Sequence, residues 1–214
     1  HELKTPLTSL KAYLQILSRK LAPSNDNFIN NALHTANLQV NRMTDLIHGF
    51  LDLSRLEPGK LKLKIQAFEL NKLIEDTVAE TTLTGRHHVI NFEPKEDITV
   101  LADRDKIGQV ISNFLSNAIK YSNKGSIITI SIKQEAGSVH VAVNDEGFGI
   151  KEKDQEKLFQ RFYRVESEKM KNISGFGIGL YLASEIIQRH KGKIWVESAE
   201  HKGSTFYFSL PLAS

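Results

Sequence analysis

The 214 residues carry 28 Lys and Arg against 25 Asp and Glu, a formal net charge of +3 with both signs interspersed, so no basic footprint for nucleic acid is present. There is no cysteine, which excludes disulfides, thiolate metal sites and a cysteine nucleophile and agrees with a reducing compartment. No stretch approaches the ~20 apolar residues of a membrane span and none reads as a signal peptide. The length allows one large domain or two ordinary ones. The chain opens on His1 rather than Met, so it reads as a piece of a longer protein.

From His1 to Leu21, leucines recur at positions 3, 7, 10, 14, 17 and 21, in alternating steps of four and three. From Ile29 to Phe50 the same seam returns through Leu33, Ala36, Val40, Met43 and Ile47. Such heptads call for helices packed on helices. Pro23 stops the first helix, and Asn or Asp in the turn after it can cap the second. Two helices alone bury too little to be stable, and apolar residues such as Tyr13, Phe28, Leu46 and Leu51 flank the seams. A symmetric four-helix bundle from two copies is the economical solution.

Pro58 and Gly59 break the pattern and place a domain boundary near residue 60. Leu61, Leu63 and Ile65 alternate with polar residues and predict a short one-sided strand. A helix is expected over 68–82, strands over 88–93 and 98–102, and a helix over 105–122 capped by Asp103. Two strands with strong β-branched alternation then meet at Ala136-Gly137, the second ending at Asp145. Phe159 and Phe162 are expected in the core, anchoring a polar run without periodicity that reads as a mobile lid. Gly175, Gly177 and Gly179 lead into a helix ending near His190, and a hairpin turning at Lys202-Gly203 closes the chain. The second domain is therefore α+β, a mixed sheet with helices on one face.

On the 105–122 helix, Ile107, Ile111, Phe114, Leu115 and Ala118 share one side; Asn113, Asn117 and Lys120 share the other, with Tyr121 at its edge. A solvated polar face is one reading. The other starts from the poor helix propensity of asparagine. Two asparagines one turn apart, then a lysine, offer a hard oxygen ligand for Mg²⁺ and a point charge for phosphates, making the helix a platform for Mg-ATP. Asp145, followed by Gly147 and Gly149, is either a plain turn or a carboxylate for the exocyclic amine of adenine with backbone close to the base. The later glycines enter a helix N-terminus, which favours phosphate, but match neither the dinucleotide fingerprint nor a P-loop. Arg161 and Arg164 are candidate phosphate contacts. His1 lies on the outer face of its helix with Thr5 one turn below. A lone surface histidine is ordinarily inert, yet a neutral imidazole beside the carboxylate of Glu2 is a competent nucleophile. Pro6 should bend the helix just below it.

The segments HELKTP, NFLSNAIKYS, DEGFGI, FQRFYRV, GFGIGL and GSTF occur here in one order. That order resembles the catalytic core of two-component sensor histidine kinases across essentially the whole chain. The resemblance implies a dimerisation and histidine phosphotransfer domain over 1–57, forming a dimeric four-helix bundle. It implies a catalytic ATP-binding domain over 58–214, an α+β sandwich of the Bergerat fold. It implies ATP-dependent autophosphorylation on His1, with Glu2 as general base, and phosphotransfer to an aspartate on a response regulator. Thr5 matches the position used for phosphatase activity. Asn113 would ligate Mg²⁺, and Asn117, Lys120, Tyr121, Asp145, Gly147, Gly149, Arg164, Gly175, Gly177, Gly179, Leu180 and Thr205 would border the nucleotide. The location implied is cytoplasmic, with any membrane anchor outside this segment.

Two departures stand out: Phe176 replaces a common small Thr between the lid glycines, and the helix turns that precede the histidine in the family are missing. Two rivals share the fold. ATPases of the gyrase, mismatch-repair and chaperone type place a glutamate where Asn113 stands, and an amide cannot take a proton from water. A non-catalytic dimeric scaffold that merely binds nucleotide is opposed by the intact His1, Glu2, Asn113 and Asp145.

Overall fold

The computed structural model describes residues 4–21, 26–55, 63–84, 88–94, 96–135, 137–165 and 176–212. Two compact units divide the chain: His1–Glu57 with Ser174–Phe176, and Pro58–Ile173 with Gly177–Ser214.

The first unit is a helical hairpin of α1 (Lys4–Leu21) and α2 (Asn27–Arg55). Asp26 caps α2, its Oδ1 accepting the N–H of Phe28 at 2.8 Å. The heptad seam is only partly covered: Leu7 and Val40 are buried, whereas Leu10, Leu17 and Met43 remain 45–49% exposed. Tyr13 and Phe28 are more exposed still. The bend expected next to Pro6 falls toward residues 1–3, outside the described residues, as do Leu3 and the side chain of Phe50.

The second unit is the expected α+β fold. After β1 (Gln66–Glu69) come α3 (Leu70–Thr84), β2 (Val89–Phe92), β3 (Thr99–Ala102) and α4 (Arg104–Tyr121). Then follow β4 (Ile127–Glu135), β5 (Ser138–Asp145), a single turn α5 (Glu152–Gln155), α6 (Gly179–Arg189), β6 (Ile194–Ser198) and β7 (Ser204–Pro211). Five strands form a mixed sheet in the order β2-β4-β5-β7-β6, parallel only between β2 and β4; β1 and β3 pair separately as an antiparallel ribbon.

The strand expected over 61–65 forms later. Residues 66–69 pair with 99–102, while Lys64 gives its N–H to Asp103 Oδ2 at 2.8 Å, so that donor is used by a side chain and not by a ladder. The core lies between the sheet and its helices. Ile107, Val110, Ile111, Phe114, Leu115 and Ala118 of α4 are all buried, and the Phe114 ring lies 5.5 Å from Phe206 and 6.1 Å from Phe208. Such tilted ring pairs add modestly to their burial. Asp103 caps α4 through Lys106 N–H at 3.1 Å, and its own N–H goes to Nε2 of the buried His190 at 3.0 Å, tying the start of α4 to the end of α6.

Candidate nucleotide site

Strand alternation builds the first part of the site. In β5, Val139, Val141 and Val143 point into the core, and a period of two carries Asp145 to the same side. A carboxylate therefore ends up only 3% exposed at the rim of an apolar layer. Burial pushes its pKa up to about 6, opposed by N–H bonds from the backbone of Gly147 and Ser204. The Gly147 N–H reaches Asp145 Oδ1 at 2.8 Å.

Glycines are required here by contact. A side chain on Gly147 would strike the Tyr121 carbonyl and Asp145 itself; one on Gly149, at φ +68°, would enter the backbone of Ala199. Two backbone links hold this loop on the end of α4: Phe148 N–H to Tyr121 O at 3.2 Å, and a bridge between Ser122 and Gly147.

Helical spacing builds the second part. With one side of α4 sunk in the core, the opposite side presents Asn113 and Asn117, whose Nδ2 donates to Asn113 Oδ1 at 3.2 Å. Lys120, one turn on, is exposed. Tyr121 is half-buried, and burial raises its pKa while the charge of Arg164 acts the other way. Gly179 opens α6 directly against the Asn113 carboxamide, with Leu180 following it. Gly177, at φ +69°, lies against the backbone of Phe162 and Tyr163 and accepts the Phe162 N–H at 2.9 Å.

The structure thus sets Gly179 against Asn113, the partner of Asn117, at the middle of α4, and Gly147 with Asp145 against Tyr121 at its C-terminal end, while Gly149 packs on Ala199. Two expectations are corrected. Thr205 alternates to the other face of β7, where its Oγ1 accepts from Asn144 at 2.8 Å; its neighbour Ser204 is the residue opposite Asp145. Phe162 is not core: it is 64% exposed at φ +61°, and Leu158 is the buried anchor of that segment. Arg161 is engaged by Tyr181, donating to its Oη at 2.7 Å. His1, Glu2 and Gly175 lie outside the described residues, as does the side chain of Thr5.

Residues not anticipated support the site from behind. Ser198 Oγ accepts the Ile150 N–H at 2.8 Å, donates to Gly203 O at 2.8 Å and meets Ser204 Oγ at 2.9 Å. Gln155 Nε2 donates to the carbonyls of Ile150 and Ser198. Ser198 is a small polar residue at the end of β6, whereas Gln155 closes the short α5 and carries no such sequence signal.

A buried, rim-positioned carboxylate held by the neighbouring backbone, with carboxamides on the adjoining helix, has the chemistry to accept a hydrogen bond from an amine-bearing ring. The family of histidine kinase-, DNA gyrase B- and HSP90-like ATPases matches residues 102–214, and the His Kinase A (phospho-acceptor) domain matches residues 1–59. The chain belongs to this ATPase family and, with the phospho-acceptor domain ahead of it, is the catalytic core of a two-component sensor histidine kinase.

The sensor histidine kinase WalK of Bacillus subtilis (strain 168) is 37% identical over 99% of this chain, which spans 35% of the length of that relative. The catalytic domain of the histidine kinase ThkA superposes with a TM-score of 0.61 at 31% identity, covering 71% of this chain and 99% of that one. Full-length ShkA in complex with AMPPNP shares the fold over the whole chain and 44% of its own, with a TM-score of 0.73 at 20% identity.

Proposed function

We propose that this chain binds Mg-ATP at the end of α4, transfers the γ-phosphoryl group to His1, and passes it on to an aspartate of a response-regulator receiver domain. The observation that carries the reading is the Asp145 carboxylate, buried at the strand end with Asn113 and Asn117 on the adjoining helix. Ionised, it accepts a hydrogen bond from the adenine amine, a charge-assisted bond of about 1.5–3 kcal/mol. Gly147 and Gly149 let the loop close on Tyr121, Asp145 and Ala199, which fixes the carboxylate at the rim. Lys120 and Arg164 supply positive charge for the phosphates. The AMPPNP bound in ShkA agrees with an adenine nucleotide.

Mg²⁺ would neutralise charge on the triphosphate. Among the described residues no cluster of three His, Asp or Glu would hold a metal alone, so Asn113 would be a single protein ligand beside phosphate oxygens and water. Its Oδ1 accepts one bond from Asn117 and keeps a second lone pair, which fits that role.

In the transfer itself, an imidazole nitrogen of His1 attacks the γ-phosphorus as the bond to the ADP oxygen breaks, and Glu2 takes the ring proton. The phosphoramidate then yields its phosphoryl group to a carboxylate of the regulator, restoring the imidazole. Asn113, where the water-activating ATPases of the fold carry a glutamate, disfavours hydrolysis. The exposed Leu10, Leu17 and Met43 support a homodimer through residues 1–57, since a second hairpin would cover them. Among the described residues no helix is long and apolar enough to cross a membrane; we read this segment as the cytoplasmic part of an anchored sensor. Incubation with γ-labelled ATP and Mg²⁺ tests the proposal: acid-labile, alkali-stable label on the chain is expected.

A further inference from the structure

His88 stands just before β2, 34 positions upstream of the residue it meets: its Nε2 lies 3.1 Å from Ser122 Oγ. The serine hydroxyl carries one hydrogen, and that hydrogen goes to Ala118 O at 2.6 Å. The serine oxygen is therefore left as an acceptor, and His88 Nε2–H is the donor. Its Nδ1 is buried without a partner, so this contact is the ring's one hydrogen bond among the described residues. Ser122 is itself buried; it ends α4 and bridges to Gly147, whose N–H holds Asp145 Oδ1 at 2.8 Å.

We infer that His88 is a positioning residue for adenine recognition, fixing the Ser122–Gly147 bridge and through it the orientation of the Asp145 carboxylate. Resting on the adenine-nucleotide reading above, the inference adds a residue that touches no nucleotide. A bridge free to shift by a few tenths of an ångström leaves the pocket present but loosens the angle between carboxylate and amine, on which the preference for adenine over guanine depends.

The test is calorimetric titration of the 214-residue chain with ADP and with GDP, for the parent, His88→Leu, His88→Gln and Ser122→Ala. His88→Leu should weaken ADP binding roughly five- to tenfold while changing GDP binding little, so the ADP-to-GDP affinity ratio falls. His88→Gln, whose amide N–H can replace the lost donor, should restore the ratio. Ser122→Ala removes the acceptor from the other side and should lower the ratio by the same factor, with no further loss when combined with His88→Leu. A purely structural role would weaken both nucleotides together by reducing the folded fraction. An unchanged ratio in both His88→Leu and Ser122→Ala overturns the inference and leaves the site reading standing. A parent chain that binds neither nucleotide overturns both.

Discussion

A methyl group placed on Gly179 would overlap the carboxamide of Asn113, so the opening of α6 meets the middle of α4 through a residue with no side chain. Nothing about the backbone of Gly179 demands glycine, since it begins a helix with ordinary dihedrals. The requirement is steric and concerns the orientation of Asn113. Gly179→Ala should leave thermal stability nearly unchanged, because the amide can swing aside. It should weaken Mg-ADP binding about tenfold and reduce the Mg²⁺ dependence of that binding. Titration with and without Mg²⁺ checks both effects.

Asp145 gives a prediction in which stability and function move in opposite directions. Its folded-state pKa of about 6 lies above the ordinary value of 3.8, so the folded protein binds the proton more tightly than the unfolded chain. Its contribution to stability is full below the ordinary value and declines as pH rises through 6, reaching a deficit of about 3 kcal/mol at neutral pH. Asp145→Asn, neutral throughout, should therefore be more stable than the parent at pH 7.5, with the gap closing toward pH 4. The same variant should lose ADP affinity. Thermal melts across that pH range, paired with calorimetry, test the sign; a destabilised variant at pH 7.5 would contradict it.

These two residues also show how far the sequence could be read. Helical spacing put Asn113 and Asn117 on one side of α4, and strand alternation put Asp145 with the buried valines, because both periods are local. Thr205 belongs to the other face of β7: register, which no local motif encodes, sets Ser204 across from Asp145. Phe162 resembled core by composition, but the left-handed backbone that lets its N–H reach Gly177 O turns the ring out. His88 and Ser198 act on the site across 34 and 48 positions of sequence, contacts that no local period encodes.

Thr5 follows His1 by four positions of sequence and Glu2 by one, and these two neighbours of the proposed acceptor have different chemistry. A threonine hydroxyl can orient water but cannot deprotonate an imidazole, whereas an ionised Glu2 can. Thr5→Ala should spare autophosphorylation and slow dephosphorylation of the regulator; Glu2→Ala should chiefly slow autophosphorylation. Measuring both rates in both variants checks the division, and equal dephosphorylation in parent and Thr5→Ala would remove Thr5 from that role.

The most direct measurement is phosphoryl transfer from γ-labelled ATP with Mg²⁺, run on the parent and on His1→Gln with ADP binding measured alongside. Label on the parent should be lost in acid and survive alkali, as that of a phosphoramidate does. His1→Gln should carry no label, with ADP affinity unchanged because acceptor and nucleotide site belong to different domains. Label that resists acid, or that persists on His1→Gln, would rule out His1 as the acceptor.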